Sequence, residues 1–179
     1  MIPRGGLYYY NLFAGIHSIS FQTPQDSVLV SGLIQFTKNV KYSVYLYDTL
    51  NANGLNAVQL QDSYDSIPYG QCLYRFLNFS PTAPPLDVYI STATAIDTLP
   101  IRSSQAYVGT NLSSTATLSQ YLVLPPGTYL FQFDTAGTKS MIDTITVTLS
   151  SAKAYTMFVT GMQDSVGVKS FRKGVIQMN

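Results

Sequence analysis

The chain is 179 residues long, 46% apolar and 13% aromatic but only 11% charged, with ten Lys and Arg against nine acidic residues and a net charge of +1. Such a chain can bury a sizeable core, but its charge balance offers neither a basic field for phosphate backbones nor an acidic tail, which argues against nucleic acid as a partner. All nine acidic residues are Asp, Trp is absent and His occurs once, so acid–base groups are scarce before any motif is sought.

With no Glu and six Lys, little is available for the surfaces of soluble helices, whereas 14 Tyr and 9 Phe, joined by many Val, Ile and Thr, suit pleated half-buried surfaces. An all-β fold is the expectation. Apolar and polar residues alternate in short runs between turn residues, the period of strands with one face on a core. In chain order this predicts strands near 7–13, 16–22, 28–36, 42–47, 56–61, 73–79, 86–91, 118–124, 128–134, 141–149, 154–160 and 166–172. Tyr8-Tyr9-Tyr10 places rings on both faces of the first strand. On the fourth, Tyr42, Val44 and Leu46 share the presumed core face, and Tyr45 and Tyr47 take the other. No run reaches the roughly 18 apolar residues of a membrane helix, and Met1-Ile2-Pro3-Arg4 does not open a secretory signal. Any signal and anchor are therefore expected outside these residues.

An internal repeat emerges when Gly15-Ile16-His17-Ser18-Ile19-Ser20-Phe21 is set over Gly127-Thr128-Tyr129-Leu130-Phe131-Gln132-Phe133, an offset of 127 − 15 = 112. After a one-residue slip, Tyr42, Val44 and Leu46 fall on Tyr155, Met157 and Val159. The earlier copy has no counterpart of the strands that open the later one. The expected organisation is the rear half of a first β-sandwich repeat at 1–61, a polar linker at 62–70, a complete repeat at 71–173 and a tail at 174–179.

The segment Phe76-Leu77-Asn78-Phe79-Ser80-Pro81-Thr82-Ala83-Pro84-Pro85-Leu86-Asp87-Val88-Tyr89-Ile90 resembles the opening signature of the bacterial domain of unknown function family 4397, in which a strand runs into Asn-x-Ser-Pro, a proline turn and an Asp-Val-Tyr strand. Leu124-Pro125-Pro126-Gly127-Thr128-Tyr129 and Leu149-Ser150-Ser151-Ala152-Lys153-Ala154-Tyr155-Thr156 match later hallmarks. The resemblance covers 73–173 as one domain and 7–61 as the rear of another. It implies tandem immunoglobulin-like antiparallel β-sandwiches, the first incomplete, on exported or lipid-anchored surface proteins of Bacteroidetes-type bacteria, with no catalytic activity, cofactor or established ligand. The Ser/Thr-rich stretch from Asp97 to Thr117 exceeds the family's second hairpin.

Turn chemistry accounts for the signature residues Asn78, Ser80, Pro81, Pro84, Asp87 and Tyr89. The prolines force a rigid crossover, and Asp87 or Asn78 can satisfy the freed amides. Gly15 and Gly127 are expected to supply a backbone conformation closed to other residues. His17 lacks a nucleophile motif and reads as a core or rim residue. Asp62 and Asp65 are expected to be solvated in the linker, Ser150-Ser151-Ala152-Lys153 to be a turn, and the lone Cys72 to be a small buried side chain. One His excludes a multi-His metal site and one Cys a thiolate zinc cluster within the chain, while calcium held by scattered Asp stays open without an Asp-x-Asp-x-Asp loop to support it. Tyr8, Tyr9, Tyr10, Tyr45 and Tyr47 are the candidate contacts for a glycan or a protein partner, against the alternative of packing between strands or units. The function expected is a non-catalytic extracytoplasmic module with an adhesion, scaffold or ligand-presenting role. The alternatives are a subunit completed by strand addition, including a homo-oligomer through the first repeat, and a glycan-active enzyme.

Overall fold

The computed structural model describes residues 10–48, 55–92, 100–110 and 115–179. Among them the alternating segments form strands β1 (Gly15–Gln22), β2 (Val28–Phe36), β3 (Lys41–Tyr47), β4 (Asn56–Asp62), β5 (Cys72–Phe79), β6 (Leu86–Ser91), β7 (Arg102–Gln105), β8 (Leu122–Leu124), β9 (Gly127–Thr135), β10 (Met141–Leu149), β11 (Ala154–Thr160) and β12 (Arg172–Gln177). The fold is all-β. A single helical turn, Thr115–Leu118, precedes β8.

Two four-stranded sheets, ordered β10-β9-β6-β7 and β12-β11-β5-β8, face each other as a β-sandwich. Tyr74 and Phe76 of β5 stack on Phe131 and Phe133 of β9 with ring centroids 5.0 and 5.5 Å apart. Leu86, Val88, Tyr155, Met157 and Val159 complete the core. Each fully buried side chain of this size contributes roughly 1.5–3 kcal/mol of transfer free energy, so this inner layer dominates the stability.

β5 departs from alternation because it is buried at all eight positions. Its inward residues meet the opposing sheet, and its outward residues Leu77 and Phe79 lie under a second unit made by the antiparallel pair β3-β4, where Tyr47, Val58 and Leu60 cover them. β5 also pairs in parallel with β11, Leu73 opposite Ala154, as expected for a strand buried on both faces. β5 thus lies in the middle of three layers, and the pair β1-β2 stands on the far side of β3-β4, against Ala57 and Gln59.

The two hairpin sets share a plan. β1 pairs with β2 with Gly15 opposite Phe36, and β9 pairs with β10 with Gly127 opposite Leu149. β3-β4 and β11-β12 are both antiparallel.

Several expected boundaries move. Residues 10–13 are not in a strand, and the rest of the expected 7–13 strand lies outside the described residues. The expected strand at 118–124 is a helical turn followed by the short β8, because Ser119 and Gln120 close the turn on Thr115 and Thr117 carbonyls. The expected 166–172 strand is shifted: Gly167 has φ +70° and opens a 3-10 turn, so β12 starts only at Arg172. Residues 174–177, expected as tail, lie in β12, and Met178 is buried with its amide on the Ala154 carbonyl at 2.8 Å. β7 was not expected at all.

Candidate functional site

The seam between β3-β4 and β5-β11 holds the most concentrated polar chemistry of the described residues. β4 turns Val58, Leu60 and Asp62 toward β5, and β3 turns Ser43, Tyr45 and Tyr47 the same way. Arg75, in the middle of an otherwise apolar strand, meets them. Its Nη2 lies 2.9 Å from Asp62 Oδ1, with both side chains fully buried. Arg75 also donates to Thr156 Oγ1 from Nε and Nη2 at 3.2 and 3.0 Å and to the Tyr45 hydroxyl at 3.0 Å. Its guanidinium carbon sits 4.6 Å from the centroid of the Tyr121 ring. Asp62 accepts from Ser43 Oγ at 2.5 Å and from the Tyr121 hydroxyl at 3.2 Å.

Burial works against the charge on Arg75, but Tyr45, Tyr121 and Asp62 outweigh it and its pKa is raised. Burial likewise raises the Tyr121 phenol, with Arg75 pulling it back. A carboxylate holding three donors and a guanidinium holding several acceptors are satisfied partners. Their arrangement is a strut between the layers.

Two concavities lie on the β1 to β4 part of the molecule. One, of about 330 Å³, opens between the inner faces of β1-β2 and β3-β4 and is walled by Ile19, Phe21, Val30, Ile34, Ala57 and Gln59. No residue of β1 or β2 is fully buried. The other, of about 630 Å³, runs between β4 and the helical turn, and its walls include Tyr42, Gln59, Gln61, Ser63, Ser119 and Tyr121. Neither lining contains Asp, His, Cys, Lys or Arg.

The expected contact residues are divided by the structure. Tyr10 is 77% exposed, and Tyr8 and Tyr9 lie outside the described residues. Tyr47 is buried, and Tyr45 is tied to Arg75 and packed on Phe79 at 5.4 Å. Both rings therefore pack between units, the alternative reading of the sequence. Asp62 is not solvated as expected: alternation carries β4 through it onto the buried face. Asp65 is exposed and pairs with Lys41 at 2.5 Å.

The signature residues build turns. Asn78 Oδ1 accepts from the Ser80 amide at 3.0 Å while Asn78 Nδ2 donates to the Gln105 carbonyl, and Ser80 Oγ donates to the Gly161 carbonyl at 2.7 Å. Pro81 and Pro84 occupy the turn between β5 and β6, and Tyr89 is half-buried on β6. Asp87 Oδ1 and Oδ2 accept from the Ser104 and Gly137 amides at 2.8 and 3.0 Å. Gly15 has φ +138°, but Gly127 has no positive φ and an added Cβ would meet only the Tyr129 ring at 3.7 Å, so the expected conformational need holds for Gly15 and not for Gly127. His17 stands at the rim with Nε2 2.8 Å from the Phe13 carbonyl, and Cys72 is buried, its thiol facing the Leu124 carbonyl. Residues 150–153 form a turn, with Ala152 at φ 59°.

Among the described residues no cluster of three His, Cys or Asp side chains is placed to hold a metal, and no helix is long and apolar enough to cross a membrane. Sequence reasoning missed Arg75. The signal was present: a lone Arg within Cys72-Leu73-Tyr74-Arg75-Phe76-Leu77 requires a buried anion.

Residues 3–89 match the model of a domain of unknown function, DUF4397. The matched segment spans β1 to β4 and reaches through the Asn-x-Ser-Pro turn into β6. No curated protein matches the chain.

Proposed function

The chain belongs to the DUF4397 family through residues 3–89, and from that premise we propose that it is a non-catalytic extracytoplasmic module of a bacterial surface protein, built as tandem immunoglobulin-like repeats and serving in adhesion, as a scaffold or in presenting a ligand. The observation that carries the non-catalytic reading is the lining of the two concavities. Amides, hydroxyls, phenols, a phenyl ring and aliphatic groups form it. Tyr, Gln and Ser side chains suit stacking on and hydrogen bonding to a sugar or a polar peptide without activating a nucleophile. The shared plan of β1-β2 and β9-β10 supports the repeat, and the surface location rests on the family resemblance alone.

The test combines location with ligand. Protease shaving of intact cells should degrade the protein, and a glycan array should give binding without turnover. Cytoplasmic retention, or cleavage of any polysaccharide, would overturn it. Asp87, the carboxylate a glycan-active enzyme would most readily use, is committed to two backbone amides.

A second reading, assembly by strand addition, is favoured by one observation: among the described residues β1 and β3 each have a single neighbouring strand, whereas their counterparts β9 and β11 have two.

A further inference from the structure

We propose that Ser27, Ser66 and Ser165 are acceptors of an O-linked glycan, attached by a transferase that reads the tripeptide Asp-(Ser/Thr)-aliphatic. Eight of the nine Asp are followed directly by Ser or Thr, Asp87 being the exception. Ser and Thr are 37 of the 179 residues, so chance would place one after two of the nine. In seven of the eight pairs the third residue is Val, Leu, Ile or Ala, and only Asp62-Ser63-Tyr64 departs.

Turn chemistry does not explain the recurrence. Asn serves turns as Asp does, yet none of the seven Asn with a residue after it is followed by Ser or Thr. Asp26 and Asp164 have φ 62°, and Asn39, at φ 60°, holds the same left-handed conformation with Val40 next in the chain. Two of the seven tripeptides, at 48–50 and 97–99, reach outside the described residues. In the other five, the hydroxyls of Ser27, Ser66, Thr135, Thr144 and Ser165 make no hydrogen bond among the described residues, and no Asp carboxylate bonds the hydroxyl that follows it. The aliphatic residue is spare as well in two of them, since Val28 is 57% and Val166 91% exposed. The fold makes no use of carboxylate, hydroxyl and aliphatic group as a set, and a set that recurs without serving the fold is a sequence read from outside.

Access selects three of the five. Asp26-Ser27-Val28 leads into β2, Asp65-Ser66-Ile67 lies between β4 and β5, and Asp164-Ser165-Val166 follows β11, each with its Asp exposed. At 134–136 the Asp is 1% exposed and held by the Gln132 amide, and 143–145 lies within β10. A phosphate on the three serines would stand beside a carboxylate and be repelled. A neutral sugar meets no such penalty, and it adds polar bulk to the surface of a chain with a net charge of +1 and only 11% charged residues. In the transfer the serine oxygen attacks the anomeric carbon of a sugar activated as a phosphate ester. The bond from that carbon to the phosphate oxygen breaks, the phosphate leaves with the electron pair, and the serine proton passes to a base of the transferase.

Peptide mass spectrometry of the full chain purified from its own cells tests this. Sugar masses are expected on Ser27, Ser66 and Ser165, and not on Thr135 or Ser63, whose preceding carboxylates are buried. Asp26→Asn keeps the side-chain shape at a left-handed position that Asn also tolerates, so it should abolish the sugar on Ser27 and leave those on Ser66 and Ser165. Circular dichroism melts verify that the variant stays folded. Bare serines at all three positions, phosphoryl masses in place of sugars, equal modification of Thr135 or Ser63, or a Ser27 still modified in the folded Asp26→Asn protein would overturn the proposal.

Discussion

Replacing Arg75 by Met removes the cation from a fully buried pair and leaves Asp62 with only the Ser43 and Tyr121 donors. The desolvation cost of the carboxylate then goes uncompensated, and breaking such a pair costs about 3–5 kcal/mol. For a chain of this size each kcal/mol moves Tm by about 2–4 °C, so the melting temperature should fall by roughly 6–20 °C. Adding Asp62→Leu to Arg75→Met should recover most of the loss, because two apolar side chains in the seam need no counter-ion. Urea titration followed by tyrosine fluorescence and circular dichroism reads both variants, with the midpoint moving and the slope unchanged if the layers still unfold together. A reduced slope would mean that β3-β4 has come away from the sandwich. An Arg75→Met cost below about 1 kcal/mol, or a double variant no better than the single, would refute the strut, since the typical penalty for an orphaned buried charge is several-fold larger.

Asp87→Ala should destabilise by about 2–4 kcal/mol, because the Ser104 and Gly137 amides lose a charged acceptor; urea unfolding measures it, and a neutral result would show that the turn finds other acceptors. Gly161→Ala should cost well over the roughly 1 kcal/mol of a left-handed residue, since its Cβ would come within 2.1 Å of the Ser170 carbonyl oxygen, while Gly137→Ala, at φ +73° with open space, should cost about 1 kcal/mol. Thermal melts of the two variants compare them directly. Stability should fall as pH rises through about 9–10 and beyond. Burial raises the Cys72, Tyr47, Tyr107 and Tyr121 pKa values, so the unfolded chain releases protons from these groups where the folded chain retains them. Phenolate absorbance rising together with loss of circular dichroism checks the linkage, and a flat stability profile across that range would contradict it.

Strand positions were legible wherever one face is buried, as in Met141–Leu149, because alternation there reports a real difference between two sides of a sheet. β7, Arg-Ser-Ser-Gln, carries no such contrast and is held instead by pairing with β6 and by the Asp87 carboxylate. The seam was legible only in part. Asp62 and Arg75 each look anomalous, but their meeting depends on one hairpin lying across another sheet, and no spacing encodes that crossing. Reading Asp62 as solvated gave local polarity more weight than the period of β4. Tyr45 and Tyr47 lie between layers for the same reason: β5 covers the face of β3 that carries them, and nothing in the spacing of β3 reports that neighbour.

The parallel pairing of β5 with β11 joins residues 81 positions apart. During synthesis β5 leaves the ribosome long before β11 exists, and closure over so long a separation is slow. The earlier hairpin β3-β4 is already complete at that moment and presents Val58 and Leu60 to one side of the waiting strand. The β3-β4 hairpin can thereby serve the nascent chain as an internal chaperone, shielding one oily flank of β5 until its last neighbour arrives.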